Sequence, residues 1–502
     1  MPAYNPGAFL REAIDSVRSQ SFSNWELIIV DDASSDTTHS ICEHYQRIDR
    51  RIKVIKNSSR RGIAKSRNQA VQLSVGSYLA LQDSDDFSHP LRFSKQLAFL
   101  RHHYQYGLIG TQAYQVDIHS HHQRTMDKPA ASELIYHLSP LDNCFVNGSI
   151  MMKRSVYNHV GGYNEHLHYK TGLEDYYFNF LVSQHTKTTN LPERLYYHRF
   201  NPFSTIQSNF RYYTTEANHL RKRIARELKS QHTLIQPAVS VIIPNYNYSK
   251  YLSQSIESVI NQTHRPIDLI IIDDCSNDSS GALVSKYQRH HSFIRLIRHR
   301  KHQGLSAARN TGIKHSFGTY LAFLDSDDWW EPDKLTLQLN KISSTGVGIV
   351  YSHTHTYDQE THRIIGLDKA YLKGKVFNEL LEGNRLKGSA SGVLVKKDLF
   401  HQSGNFRTIL PAVEDWDLWL RLTAITKVDF VSKPLVTIRT HSKSVQTNQL
   451  KMIICTLIVN LLIPYYIVKY KQIVTRDTVR YYLRGWYRFL YLSQVFFSSP
   501  IW

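Results

Sequence analysis

Gly318-Thr-Tyr-Leu-Ala-Phe-Leu-Asp325-Ser-Asp327-Asp328-Trp-Trp-Glu-Pro332 is the stretch from which the rest of the chain can be read. Tyr320 to Leu324 is a short apolar run of aromatic and aliphatic residues, opened by Gly318 and closed by acidic turn residues. That is the pattern of a strand buried on both faces. Three carboxylates, Asp325, Asp327 and Asp328, then crowd at its carboxyl end. Like charges so close repel, so a cation is expected among them. Such a cluster suits a hard divalent metal holding a phosphorylated ligand. It equally suits a solvated acidic turn in which Asp328 or Asp333 caps the next helix.

An internal repeat bears on the choice. Asp31-Asp32-Ala-Ser-Ser-Asp36 recurs 242 residues later as Asp273-Asp274-Cys-Ser-Asn-Asp278. Gly62-Ile-Ala-Lys-Ser-Arg67-Asn68 recurs as Gly304-Leu-Ser-Ala-Ala-Arg309-Asn310, and Gly76-Ser-Tyr-Leu-Ala-Leu-Gln-Asp83-Ser-Asp85-Asp86 as the opening stretch, at the same offset. Glu174-Asp175 matches Glu414-Asp415 at an offset of 240. A period this long means two copies of a whole domain, not a solenoid.

Each copy alternates strands with helices. In the second, Val239 to Ile243, Asp268 to Ile272 and Phe293 to Arg298 read as strands. Helical spacing runs from Tyr251 to Gln262, from about Ser279 to Arg289, and through Ala307 and Ile313. The alternation predicts an α/β fold, a mostly parallel sheet flanked by helices in each copy, with ligands beyond the carboxyl ends of the strands. Pro244-Asn-Tyr-Asn247, Asp273-Asp274 and Asp325 to Asp328 all fall at such ends. The expected organisation is a domain over 1–210, a helical linker over 211–236, a second domain over 237–448 and a basic, aromatic helical tail over 449–502.

Together, Val-Ser-Val-Ile-Ile-Pro-Asn-Tyr-Asn247, Ile-Ile-Asp273-Asp274-Cys-Ser, Gly-Leu-Ser-Ala-Ala-Arg309-Asn310-Thr-Gly312, Leu-Asp325-Ser-Asp327-Asp328 and Glu414-Asp415 resemble the family 2 glycosyltransferases, of GT-A (Rossmann-like) fold. The resemblance implies an inverting, metal-dependent transfer of sugar from a nucleotide-sugar. Pro244 and Tyr246 would flank the base, and Asp273 or Asp274 would accept its imide N–H, a task suited to an ionised carboxylate. Arg309 would lie near the nucleotide, and Asp325 would contact the ribose. Asp327 would ligate Mn²⁺ or Mg²⁺ at the diphosphate, with His441 joining metal or diphosphate. Asp415 would be the general base, with Glu414 keeping it basic or holding the acceptor. In the first copy the matching positions are Pro2, Tyr4, Asp31, Asp32, Arg67 and Asp83 for the nucleotide-sugar, Asp85 for the metal, Asp175 for the base and Glu174 beside it.

The copies are unequal. Met1 aligns with Ile243, so the first copy lacks the strand expected near the middle of its sheet, and loss of a central strand strands backbone polar groups. Either the true start lies upstream of Met1 or the gene is truncated. Asn201 stands opposite His441, with His198 three positions earlier as a substitute ligand, and Ala70 stands where the second copy has Gly312. The first copy is therefore expected either to act on a different sugar or to be a non-catalytic module that binds donor or acceptor.

The composition fits. Four scattered cysteines, Cys42, Cys144, Cys275 and Cys455, argue against a disulfide framework or a zinc site and for a reducing compartment. A net charge of +19, from 61 basic and 42 acidic residues, suits nucleic acid, an anionic membrane or a phosphorylated substrate. No nucleic-acid motif supports the first. No signal peptide is legible at the start. Met452 to Val468 is mostly apolar but broken by Asn460 and Pro464, at the short limit for spanning a bilayer. Arg480 to Tyr491 has the composition of an interfacial helix; both segments could instead pack on the second copy. The expected partners are a nucleotide-sugar, UDP-linked first of all, and a glycan or lipid-linked acceptor. The expected place is the cytoplasm, with peripheral contact at the inner face of the plasma membrane through the tail, in surface polysaccharide or lipopolysaccharide assembly.

Overall fold

The computed structural model describes residues 1–166, 173–200, 210–230, 236–386, 388–441 and 449–470. Asn201 and the Arg480 to Tyr491 segment lie outside them. The chain divides into two compact units, Met1–Gln236 and Pro237–Trp502.

The second unit is built on a nine-stranded sheet. Val239–Asn245 lies at the middle of its parallel part, between Ile267–Asp273 and Tyr320–Phe323, with Ile294–Arg298 beyond Ile267–Asp273. These segments are rich in β-branched residues, which favour the pleated backbone. Alternate side chains point to opposite faces. Ile242, Ile270, Leu321 and Phe323 enter one core with Trp416 and Trp419, whereas Val241, Ile243, Leu269 and Ala322 enter the other with Leu252, Ile256 and Val259. Each of the valine, leucine, isoleucine and phenylalanine side chains contributes about 1.5–3 kcal/mol by leaving water. Antiparallel pairing through Leu394–Lys396 extends the sheet to Ile349–Asp358, which runs parallel to the long strand Val428–Thr440. That strand delivers His441 to the edge where the parallel strands end. A helix, Gln449–Lys469, follows, and its Cys455, Val459, Ile463 and Tyr466 are buried in the core that holds Trp416.

In the first unit the corresponding strands form two separate sheets. Pro2–Ala3, Leu27–Asp31 and Ile52–Lys56 make a parallel three-stranded sheet. Tyr78–Ala80, Met151–Lys153, Tyr106–Val116, Lys187–Arg199 and Phe87–Ser88, with His122–Met126 paired on Tyr106–Val116, make the other. In the second unit Val239 to Ile242 joins the two halves; in the first, Pro2 and Ala3 pair only with Val30 and Asp31. The helix read from the sequence as a linker, Phe210–Ser230, buries Ala217, Leu220, Ile224 and Leu228 against Leu173, Tyr176, Tyr177 and Phe180, so it is built into the first unit.

Candidate active site

Asp273 and Asp274 end the Ile267–Asp273 strand and are both buried, but their tasks differ. Asp274 is saturated: Gln303 N–H and Gly304 N–H donate to its oxygens at 2.9 and 2.7 Å, and His299 Nδ1 and His302 Nδ1 stand 2.6 and 2.9 Å away. Gly304 has φ +91, a left-handed value that suits glycine, and it opens the Leu305–His315 helix. Asp274 therefore anchors the helix that carries Arg309. Asp273 accepts from Ser276 N–H through Oδ1, while among the described residues its buried Oδ2 accepts no hydrogen bond and has Arg298 Nε at 3.1 Å. Of the two expected base-reading carboxylates, Asp273 is the one with an acceptor to offer. Tyr246, at the neighbouring strand end, is 42% exposed, and its ring lies 4.1 Å from that of His302. Pro244 is buried in the strand itself.

The first unit repeats this arrangement. Asp32 accepts from Asn57, Arg61 N–H and Gly62 N–H, each at 2.8 Å, and among the described residues the buried Asp31 Oδ2 accepts no hydrogen bond, with His39 Nδ1 3.4 Å away. Tyr4 is half exposed beneath Arg60, whose guanidinium carbon lies 3.9 Å from the ring centre.

The carboxylates of the opening stretch separate into three roles. Asp325 Oδ1 accepts from Arg309 at 2.7 Å. Asp327 Oδ2 stands 3.1 Å from His441 Nε2, and burial with the Asp325 charge raises its pKa. Asp328 is fully engaged inside the protein, with Ser391 donating at 2.7 Å and Arg439 N–H at 3.0 Å. It caps no helix; Asp333 precedes the next one without a side-chain capping bond. Among the described residues no three His, Cys, Asp or Glu side chains form a metal cage. Asp327 and His441 would offer one oxygen and one nitrogen to a divalent ion, and the ion would supply charge to balance a phosphorylated ligand. Asp85 is likewise pushed up, to about 7, by burial and by Asp86 and Asp83, a state that a cation would relieve. His198 stands beside this cluster: its Nδ1 lies 3.1 Å from Asp86, and the charges of Asp86 and, less strongly, Asp85 raise it to about 9. It sits within Lys187–Arg199, so its direction is fixed by that strand.

Glu414 and Asp415 open the Glu414–Thr423 helix, directly after Val413, whose φ of +52 is unusual for a β-branched residue. That turn aims the two adjacent carboxylates differently. Glu414 Oε1 accepts from Arg309 at 2.5 Å. Asp415 accepts from Trp416 N–H at 2.7 Å and from Asn384 Nδ2 at 3.1 Å, and burial with the Glu414 charge pushes it up to about 6. In the first unit the buried Arg67 reaches Asp83 at 2.9 Å and closes on Asp175, the counterpart of Asp415. Glu174 is left buried, with no hydrogen bond to either oxygen among the described residues, and burial first, then Asp175, raises it to about 8.

Sequence reasoning missed Asn384, Ser391, His299 and Val413. The run Gly388-Ser-Ala-Ser-Gly392 held a signal for Ser391, since small residues mark close backbone approach, and Gly388 has φ +91. For Val413 there was none.

The description "Glycosyl transferase family 2" matches residues 1–161 and 240–409, together well over half of the chain. An uncharacterized glycosyltransferase of Rickettsia felis is 26% identical over 484 residues, covering 88% of this chain and 78% of its own length. The putative teichuronic acid biosynthesis glycosyltransferase TuaG of Bacillus subtilis is 39% identical over 104 residues, 21% of this chain and 41% of its own. Among solved structures, S. aureus TarS with UDP-GlcNAc gives a TM-score of 0.37 at 17% identity, covering 42% of this chain and 61% of that one. With two matching segments, each laid over one of the repeated strand-end sites, this chain belongs to glycosyl transferase family 2 and is a glycosyltransferase with two copies of the family's domain.

Proposed function

We propose that the second unit transfers a sugar, with inversion at the anomeric carbon, from a nucleotide-sugar to a hydroxyl of a glycan or lipid-linked acceptor. Asp415 carries this reading. It is a buried carboxylate, pushed up to about 6, oriented by Trp416 and Asn384 and left outside the arginine ion pair. A general base works best with a pKa near the operating pH and a fixed orientation. Glu414 contributes by holding Arg309 and by making Asp415 a better proton acceptor.

On the donor side, Asp273 Oδ2 receives the imide N–H of the base, Tyr246 stacks on it and Asp325 holds the ribose. Asp327 and His441 would hold Mn²⁺ or Mg²⁺, and the bound ion would neutralise charge on the diphosphate leaving group. A UDP-sugar is the first donor to test. The resemblance to TuaG, described as a putative teichuronic acid biosynthesis enzyme, supports a place in polysaccharide assembly. The helix Met452–Lys469 is long and apolar enough to cross a membrane, and it exposes Ile453, Leu461, Tyr465 and Val468, which supports peripheral contact with a lipid surface.

A second reading concerns the first unit: it binds donor or acceptor without turnover. The closure of Arg67 on Asp175 favours it: burial raises the Asp175 carboxyl as it does Asp415, but the guanidinium occupies the oxygen that an acceptor hydroxyl would need. Incubation with UDP- and GDP-sugars plus Mn²⁺, following nucleotide release, tests the main reading. Turnover that disappears in Asp415→Asn is the result expected; no turnover with any donor, or Asp327→Ala equal to the unaltered protein, would reject it.

A further inference from the structure

The sheet of the second unit carries a hairpin whose outer strand is apolar and exposed. Ile349–Asp358 turns through residues 359–362 into Arg363–Asp368, which pairs with no other strand among the described residues. On it Ile364, Ile365 and Leu367 are 57%, 61% and 47% exposed. A sheet edge of this kind is ordinarily blunted with charge. In the chain that follows, Lys369, Tyr371, Lys373 and Lys375 are exposed, while Ala370, Leu372 and Val376 between them are buried in the core. The result is an apolar strip continued by a basic one.

The repeat shows that the fold does not require this chemistry. The register slips between Thr356 and Tyr357, which leaves Ile365 without a partner on the opposite strand. The same slip recurs in the first unit between Gln115 and Val116, where Gln123 is the residue left over. At the 242-residue offset, Ile364, Ile365, Leu367 and Lys369 stand where the first unit has His122, Gln123, Thr125 and Asp127. Polar residues therefore build the same bulged hairpin. Only its outer surface differs, and it differs toward apolar and basic.

The bulge and the charge also narrow the choice of partner. An added strand needs a regular ladder edge, which a bulge interrupts. A second copy of the chain would set Arg363, Lys369 and Lys375 against their like, with Asp368 alone to offset them. An anionic lipid surface needs no hydrogen-bond register and supplies the opposite charge.

We propose that the strand Arg363–Asp368 and the basic run to Lys375 form a docking surface for an anionic lipid bilayer. Ile364, Ile365 and Leu367 enter the acyl boundary, Tyr371 sits at headgroup level, and Lys369 and Lys375 meet the phosphates. This contact is separate from the one proposed for Met452–Lys469 and does not rest on the sugar chemistry. Gln359 N–H, in the hairpin turn, donates to the Thr440 carbonyl at 3.1 Å, next to His441. Docking therefore fixes the orientation of the His441 edge of the site relative to the bilayer.

The test uses the full chain with vesicles of phosphatidylcholine alone or mixed in equal parts with phosphatidylglycerol. Sedimentation reads binding, and amide hydrogen exchange reads its location. The expected result is exchange slowed at least about 10-fold over residues 363–375 by the mixed vesicles, with residues 122–133 unchanged. Ile364→His, Ile365→Gln and Leu367→Thr, made together, give the second hairpin the first one's surface and should weaken vesicle binding at least about 10-fold with the thermal midpoint kept. Lys369→Glu with Lys375→Glu should remove the preference for the mixed vesicles. Vesicle binding without protection of residues 363–375 would overturn the proposal and leave the contact through Met452–Lys469 standing. Protection of the same residues by raised protein concentration alone would overturn it in favour of self-association.

Discussion

Arg67 closes on Asp175, whereas its counterpart Arg309 takes Glu414 and leaves Asp415 outside the pair. The same three residue types, at matching positions in the repeat, are thus wired in two ways. In one unit the candidate base is neutralised by a fixed cation; in the other its neighbour is.

The first expectation follows directly. Asp415→Asn should lower kcat by roughly 10²–10⁴-fold with little change in the donor KM, because only proton removal from the acceptor is lost. Asp175→Asn should leave the rate of transfer nearly unchanged. Initial rates of nucleotide release and of acceptor glycosylation check both.

The pH profile should show an acidic limb near 6, since Asp415 is pushed up to about 6 and acts when deprotonated. Activity falls as pH drops through that value. Glu414→Gln removes the neighbouring negative charge and releases Arg309, and both changes stabilise the Asp415 carboxylate. The limb should therefore move to lower pH, as measured by kcat against pH in the variant.

Glu174 makes a separate prediction about stability. Burial raises it to about 8, above its ordinary value, so the folded first unit binds a proton that the unfolded chain releases. Its contribution is present below the unfolded pKa and is lost as pH rises through about 8. Relative to the unaltered chain, Glu174→Gln should gain stability as pH is raised from 5 to 9, read from denaturant midpoints of the first unit.

For the metal, Asp327→Asn and His441→Ala should each weaken Mn²⁺ binding in the presence of UDP by at least roughly 10-fold, measured by electron paramagnetic resonance titration. Asp85→Asn should leave that titration unchanged at the second unit.

Packing around the central strand gives a fifth test. Gly312→Ala drives a methyl against Ile242 and should cost about 1–3 kcal/mol. The reverse change, Ala70→Gly, should cost about 1 kcal/mol through helix propensity, with a further loss from the methyl it removes beside Ile28 and Val30. Chemical denaturation of the two variants distinguishes them.

Much of this was legible in the sequence because the cues were local. Apolar β-branched runs marked Val239–Asn245 and Ile267–Asp273, and the paired aspartates marked where they end. The helix Phe210–Ser230 announced its buried stripe through Leu220, Ile224 and Leu228, though not that Tyr176 and Tyr177 would cover it. What escaped depended on distance or on backbone conformation. Asp273 and Asp274 look alike in the chain; only His299, 25 residues on, and the turn before Gly304 show that the second is an anchor. Glu414 and Asp415 are adjacent, and no periodicity tells which one an arginine 105 residues away will reach. The left-handed turn at Val413 decides that, and a valine is the last residue one would read as a turn.

One contact at the far end of the chain has a practical meaning. Tyr466, on the last described helix, donates its hydroxyl to Asp417, which also receives Arg421 at 2.6 Å and sits on the same helix as Glu414 and Asp415. Trimming the protein back to the end of its last strand, Val428–Thr440, would therefore unlatch the helix that holds the proposed base. A fragment ended near residue 441 would retain every residue proposed for donor and metal, yet would be a poor substitute for the enzyme in a screen. Crystallisation and assay designs should keep the chain through at least Tyr470.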